Sequence, residues 1–75
     1  MKITVKLVGP FVYQAGFGEK IFDVSEPATL EEILGRIRIR RDRPWIVTRN
    51  GGAIRPLDPL RDGDRIVIAP VYSGG

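Results

Sequence analysis

The hydrophobic period changes twice along this chain, from two to about 3.6 and back, and that order limits its fold more than any other feature. Met1 to Val8 alternates, with Ile3, Val5 and Leu7 on one face and Lys2, Thr4 and Lys6 on the other, which predicts a strand with one buried face. Gly9-Pro10 breaks the pattern, a loop containing Gly16 and Gly18 follows, and Lys20 to Val24 reads as a second short strand. Together these predict a hairpin with a long connection. Leu30, Ile33, Leu34 and Ile37 then fall at i, i+3, i+4 and i+7, one apolar helical stripe. Thr29 with Glu32 three residues later is a capping box, in which each side chain satisfies a free amide of the first turn. Glu31 and Glu32 sit in that turn and arginines near the last, as the helix dipole prefers. The end of the helix has two readings: Gly35 weakens it, and Ile37-Arg38-Ile39-Arg40 also fits period two.

Pro44 resets the chain. Trp45 to Arg49 reads as a strand, Asn50-Gly51 as a tight hairpin turn, and Ala53 to Arg55 as a short returning strand stopped by Pro56. Asp62-Gly63-Asp64 predicts another turn, leading into a last strand from Arg65 to Ile68. The order is β-β-α-β-β-β, with one strand fewer if the Ala53 segment is only a bridge. A helix between a leading hairpin and trailing strands must cover one face of a single sheet, since nothing else can bury its stripe. Right-handed crossover chirality puts the last strand beside the first and parallel to it. The expectation is an α+β, ubiquitin-like β-grasp fold: a mixed four- or five-stranded sheet covered on one face by a single helix. Residues 1–69 would form the β-grasp domain. Residues 70–75 would form a flexible C-terminal tail ending in Gly-Gly, able to reach up to about 20 Å.

Composition decides what such a domain could do. With 75 residues there is one domain, and at this size only about 60% of the unfolded chain's surface can be buried. The 43% hydrophobic content is nonetheless that of a folded chain. There is no cysteine and no histidine, so disulfides, a thiol nucleophile, a Cys/His zinc site and an imidazole base are all excluded. No P-loop is present, and Gly16-Phe17-Gly18 lacks the third glycine of a dinucleotide fingerprint. Met1-Lys2 leads straight into the alternating segment, so no signal peptide is expected, and no run approaches the roughly 20 apolar residues of a membrane span. A soluble cytoplasmic protein, without membrane contact, is the expectation.

The net charge of +3 comes from twelve basic and nine acidic residues. Arg36, Arg38, Arg40, Arg41 and Arg43 form a basic run. No aromatic residues interleave with it and Asp42 interrupts it, so a solvated helix end is the better reading than a nucleic-acid contact, with docking to an acidic partner between the two. Asp62 and Asp64 flank a glycine in a tight turn and read as turn-formers rather than as metal ligands or an acid/base pair. Trp45, beside Pro44, reads as a core or sheet-face residue, with a partner hot spot as the alternative.

Two segments carry a family resemblance. Pro59-Leu60-Arg61-Asp62-Gly63-Asp64-Arg65-Ile66 resembles the Leu-x-Asp-Gly-Asp turn before the last strand of the MoaD and ThiS sulfur carriers. The tail Pro70-Val71-Tyr72-Ser73-Gly74-Gly75 is similar to their tails, which end in Gly-Gly. The Thr29-Leu30-Glu31-Glu32-Ile33-Leu34 helix start and the Arg49-Asn50-Gly51 turn sit where that family has theirs. The family's tail usually has Pro-Pro where this chain has Pro70-Val71, and Tyr72 is bulkier than its counterpart.

The resemblance implies a carrier protein acting as a co-substrate, not an enzyme. A ubiquitin-activating-type enzyme, supplying ATP and Mg, would adenylate the Gly75 carboxylate. A sulfur donor would then convert it to a thiocarboxylate, with Gly74 the required neighbour. An acceptor synthase subunit would receive the sulfur, the carrier then being the small subunit of a molybdopterin-synthase-like complex. Thiamine synthesis and tRNA thiolation are further destinations. Ala69, Pro70, Val71, Tyr72 and Ser73 would be the partner-binding residues, with no bound cofactor and no metal. The chemistry suits such a tail: small residues can thread a narrow channel, a Cβ on Gly75 would crowd the carbonyl to be attacked, and Pro70 would stiffen the base. Two other readings remain, a modifier conjugated to lysines through the same terminus, and an interaction module whose tail is inert.

Overall fold

The computed structural model describes residues 1–40, 42 and 44–71. Five strands and two short helices follow one another as β1 (Lys2–Leu7), α1 (Phe11–Ala15), β2 (Glu19–Asp23), α2 (Leu30–Gly35), β3 (Trp45–Arg49), β4 (Gly52–Ala53) and β5 (Arg65–Pro70). The sheet order is β2-β1-β5-β3-β4. β5 lies in the centre, parallel to β1 and antiparallel to β3, as the chirality argument requires. This is the expected α+β, ubiquitin-like β-grasp architecture with a mixed five-stranded sheet.

Alternation in β1 buries Ile3, Val5 and Leu7, and the same period in β5 buries Ile66 and Ile68. These central side chains share one cluster with Leu30, Ile33 and Leu34 of α2, with Phe11 of α1, and with Leu60. Ile3, Val5, Leu30, Ile33, Ile66 and Ile68 are the largest fully buried side chains, so the strand period and the helical stripe meet at one seam.

The structure corrects the sequence reading at four places. The loop after β1 contains a helical turn, α1, so two helices replace the single one expected. It is bounded by Pro10 at its start and by Gly16 in the left-handed region (φ 87°) at its end, the Gly16 amide donating to the Val12 carbonyl at 2.9 Å. Second, the capping box does not form: Thr29 is the N-cap in extended conformation, but its side chain makes no capping hydrogen bond. Two first-turn amides are satisfied by a distant loop instead, Glu31 donating to the Pro56 carbonyl at 2.8 Å and Leu30 to that of Asp58 at 3.3 Å, while the Glu32 amide donates to the Thr29 carbonyl at 3.2 Å. A tertiary cap has displaced the local one. Third, α2 stops at Gly35, so no arginine lies in its last turn; Arg36 is the C-cap, and Ile37 stays buried on a further turn closed by its amide to Leu34 at 3.3 Å. Fourth, the returning strand is Gly52–Ala53 rather than Ala53 to Arg55.

The two tight turns form as read. Asn50 (φ 50°) and Gly51 (φ 84°) both take the left-handed backbone that a two-residue hairpin turn demands. In the second, Gly63 has φ 86°, and the turn is closed by the Asp64 amide on the Arg61 carbonyl at 3.1 Å. Asp62 Oδ1 accepts the Lys2 amide at 2.7 Å, and Asp64 Oδ2 accepts the Arg61 amide at 2.8 Å. Both aspartates are turn-formers.

Candidate functional site

The residues singled out by sequence lie at and beyond the end of β5. Ala69 and Pro70 are its last two residues, opposite Ile46 and Trp45 of β3. Val71 continues the ladder by one bond, its amide donating to the Pro44 carbonyl at 3.1 Å. Pro70 is therefore part of the sheet rather than of a free tail. Tyr72, Ser73, Gly74 and Gly75 lie outside the described residues.

The position of Pro70 follows from hydrogen-bond parity. In the antiparallel β3–β5 pair, Val71 bonds to Pro44 and Arg65 to Asn50, so the alternate pair Trp45/Pro70 exchanges no bond across that ladder. The nitrogen of residue 70 faces the β1 side. There the last parallel contact runs from the Val8 amide to the Ile68 carbonyl at 3.1 Å. The next rung would require an N–H at residue 70, which proline lacks, so the β1–β5 ladder ends while the β3–β5 ladder runs one bond further. The chain is released from one neighbour and retained by the other.

Beside this exit, Pro10, Phe11, Gln14, Arg40, Asp42, Pro70 and Val71 line a shallow recess of about 320 Å³. Phe11 is buried and meets Trp45 edge-on, ring centroids 6.1 Å apart, which fixes α1 against the start of β3. Gln14 Oε1 accepts the Arg40 amide at 2.6 Å and so ties the segment after α2 to α1. Arg40 forms an exposed ion pair with Asp42 at 3.2 Å. The sequence reading missed Phe11 and Gln14, because it placed no helix there. Pro10 with Gly16 was the available signal.

The sheet face away from the helices is mixed. Ile46 is about half exposed opposite Ala69, with Val67 and Thr48 as the next pair and Lys6 beside Val67. Val71, at the edge of this face, is 45% exposed. Of the basic run, Arg36, Arg38 and Arg40 are exposed, while Arg41 and Arg43 lie outside the described residues. Among the described residues no three acidic side chains converge into a possible metal-holding group, and no helix is long and apolar enough to cross a membrane.

Three solved structures share the architecture. SAMP1 from Haloferax volcanii matches with a TM-score of 0.81 at 24% identity, covering 100% of both chains. A second H. volcanii structure, small archaeal modifier protein 1, gives a TM-score of 0.78 at 22% identity over 95% of this chain and 98% of that one. A Pyrococcus furiosus protein described as a molybdopterin converting factor, subunit 1, gives 0.82 at 20% identity over 96% and 99%. These likenesses establish the fold. A comparison with curated protein sequences found no match. The model of the ThiS family matches residues 5–75, nearly the whole sequence and through both terminal glycines, and the chain belongs to the ThiS family.

Proposed function

We propose that this protein is a sulfur carrier whose reactive group is the Gly75 carboxylate. The observation that carries the reading is the family match itself, which runs through Gly74 and Gly75. The fold supports it. β5 is held on both sides through Ile68 and on one side through Val71, so a terminus beyond it has a fixed origin. The four residues after Val71 can extend at most about 14 Å, enough to enter a cleft in another protein.

In the proposed cycle a carboxylate oxygen of Gly75 attacks the α-phosphorus of ATP, and pyrophosphate leaves. A sulfur nucleophile, delivered as a hydrosulfide equivalent, then attacks the acyl carbon; the bond to the phosphate oxygen breaks and AMP leaves. The carbon stays at the carboxylic oxidation level, and the product is a thiocarboxylate. A ubiquitin-activating-type partner supplies ATP, Mg and the catalytic groups, and orients the carboxylate in line. The carrier supplies a terminus without side chains and binds no cofactor of its own. It works in the cytoplasm as a co-substrate, passing sulfur to a synthase subunit for molybdopterin or thiamine synthesis or to a tRNA-thiolating enzyme.

The test is to incubate the chain with a cognate adenylating enzyme, ATP and a sulfur donor, and to measure its intact mass. A gain equal to one oxygen-to-sulfur exchange, confined to the C-terminal peptide and absent when Gly75 is deleted, is expected. An unchanged mass with an enzyme competent on another carrier overturns the proposal. The likeness to two archaeal modifier structures favours a second use of the same terminus, attachment to lysines of other proteins. It predicts a ladder of higher-mass conjugates in cell extracts that disappears with Gly75.

A further inference from the structure

The charge of this chain is unevenly placed. Residues 36–43 hold five arginines and one aspartate, while the other 67 residues hold seven basic and eight acidic side chains. The segment therefore carries +4 and the rest of the chain −1. Its described part begins as the end of α2, with Arg36 as the C-cap, and residues 38–40 then run on without regular structure. Gln14 holds Arg40 by its backbone amide, so the side chain projects outward, its guanidinium in an exposed pair with Asp42. The Arg40 side chain is 75% exposed and takes part in the lining of the recess beside Pro70 and Val71. Arg38, two residues earlier, is exposed and has no ion-pair or hydrogen-bond partner among the described residues. Arg40 thus brings positive charge to the place where β5 gives way to the tail, with Arg38 two residues before it.

The recess pairs this charge with apolar surface. Phe11, Pro70 and Val71 supply apolar lining, and the paired Arg40 and Asp42 side chains line it beside them. We infer that Arg38 and Arg40 form a docking site for an acidic segment of the adenylating enzyme, seated at the base of the tail. This rests on the carrier reading above. A carrier must leave one enzyme and reach the next, so it needs rapid association without very tight binding, and charge at the rim of an interface supplies that. The Arg40–Asp42 pair is no obstacle, because an exposed pair is worth little and can exchange Asp42 for a partner's carboxylate. A nucleic-acid ligand is the poorer match: among the described residues that line the recess the one aromatic, Phe11, is buried and offers no face to a base.

The experiment compares two double reversals with the same net charge. R38E/R40E changes the proposed site; R55E/R61E changes two exposed arginines elsewhere in the chain. Binding of each full-length chain to the adenylating enzyme without ATP is measured by calorimetry at about 0.05 M and about 0.5 M salt. R38E/R40E is expected to weaken binding about tenfold or more at low salt, with the gap closing at high salt, and R55E/R61E by less than about twofold. Equal effects of the two variants, or none, overturn the inference. So does a loss of retention of bulk tRNA by R38E/R40E with enzyme binding unchanged. The carrier reading fails separately: if the wild-type chain binds the enzyme through Arg38 and Arg40 but never gains sulfur, the docking site stands and the thiocarboxylate chemistry does not.

Discussion

Removal of the Asp64 carboxylate should be the most damaging single change to a polar side chain in this domain. Asp64 is the one buried charged residue among those described, at 6% exposure. Its Oδ2 accepts the Arg61 amide at 2.8 Å and its Oδ1 accepts Asn50 Nδ2 at 3.1 Å. Asn50 in turn uses its own Oδ1 to accept the Arg65 amide at 2.9 Å. One carboxylate thus ties the β3–β4 turn to the turn before β5. In Asp64→Ala both donors lose their acceptor. Each bond is part-buried, so water recovers some of the loss and the cost is about 1–1.5 kcal/mol apiece. The Arg49 guanidinium, 3.9 Å away, adds little. The sum is about 2–3 kcal/mol, against about 4–11 kcal/mol for the whole stability of a domain this size.

Asp62, two residues earlier in the same motif, gives the internal control. It is exposed and accepts a single bond, from the Lys2 amide, so Asp62→Ala should cost about 0.5–1 kcal/mol. Asp64→Asn retains one acceptor for two donors and should fall between the two alanine variants. Urea unfolding followed by the fluorescence of Trp45, the only tryptophan, reads all three. With a slope of about 1 kcal/mol/M, Asp64→Ala should lower the midpoint by about 2–3 M and Asp62→Ala by less than about 1 M. Equal midpoints for the two alanine variants would refute the claim that burial and two-turn bridging, rather than turn chemistry alone, make Asp64 important.

Ile33→Ala empties a fully buried site under the sheet and should cost about 2–5 kcal/mol, enough to leave much of the population unfolded in circular dichroism at room temperature. Thr29→Ala should change the urea midpoint by less than about 0.5 M, below the usual cost of losing an N-cap, because the Thr29 side chain makes no capping bond. Gly63→Ala should destabilise by about 1 kcal/mol from its φ of 86° alone, since an added Cβ meets nothing within 4 Å. Gly18→Ala, with equally open space and no left-handed backbone, should be neutral or slightly stabilising in the same assay.

Most of the fold was legible because its largest signals are periodic. Ile3, Val5 and Leu7 at period two, and Leu30, Ile33 and Leu34 at helical spacing, name the buried faces directly, and chirality supplies the central place of β5. Illegible details were those decided by distant residues. Thr29 and Glu32 have the spacing of a capping box, yet the loop at Pro56–Asp58 takes the Leu30 and Glu31 amides and the Glu32 amide turns to the Thr29 carbonyl, and no local pattern announces the loop's part. In α1, five residues with one buried side chain leave too short a record for a period to show. At the other helix, Ile37 is buried as the stripe predicts although α2 has ended, so burial and helicity part company there.

The candidate site was read from motif rather than from period. Gly74 and Gly75 lie outside the described residues, and the family match runs through both. What geometry adds lies upstream of them. Sequence reading took Pro70 as a stiffener at the base of a free tail; hydrogen-bond parity makes it the residue that ends the β1–β5 ladder while β3 keeps its hold to Val71. Any other residue at 70 would bring an N–H toward the Val8 carbonyl and could extend the parallel ladder by a rung. Pro70→Ala should therefore draw the start of the tail toward β1 and shorten its reach into a partner, while costing the domain little stability. Hydrogen exchange at residue 70 of that variant tests this: a protected amide is expected, and an amide exchanging at the rate of an open chain would show that the exit is set by β3 alone.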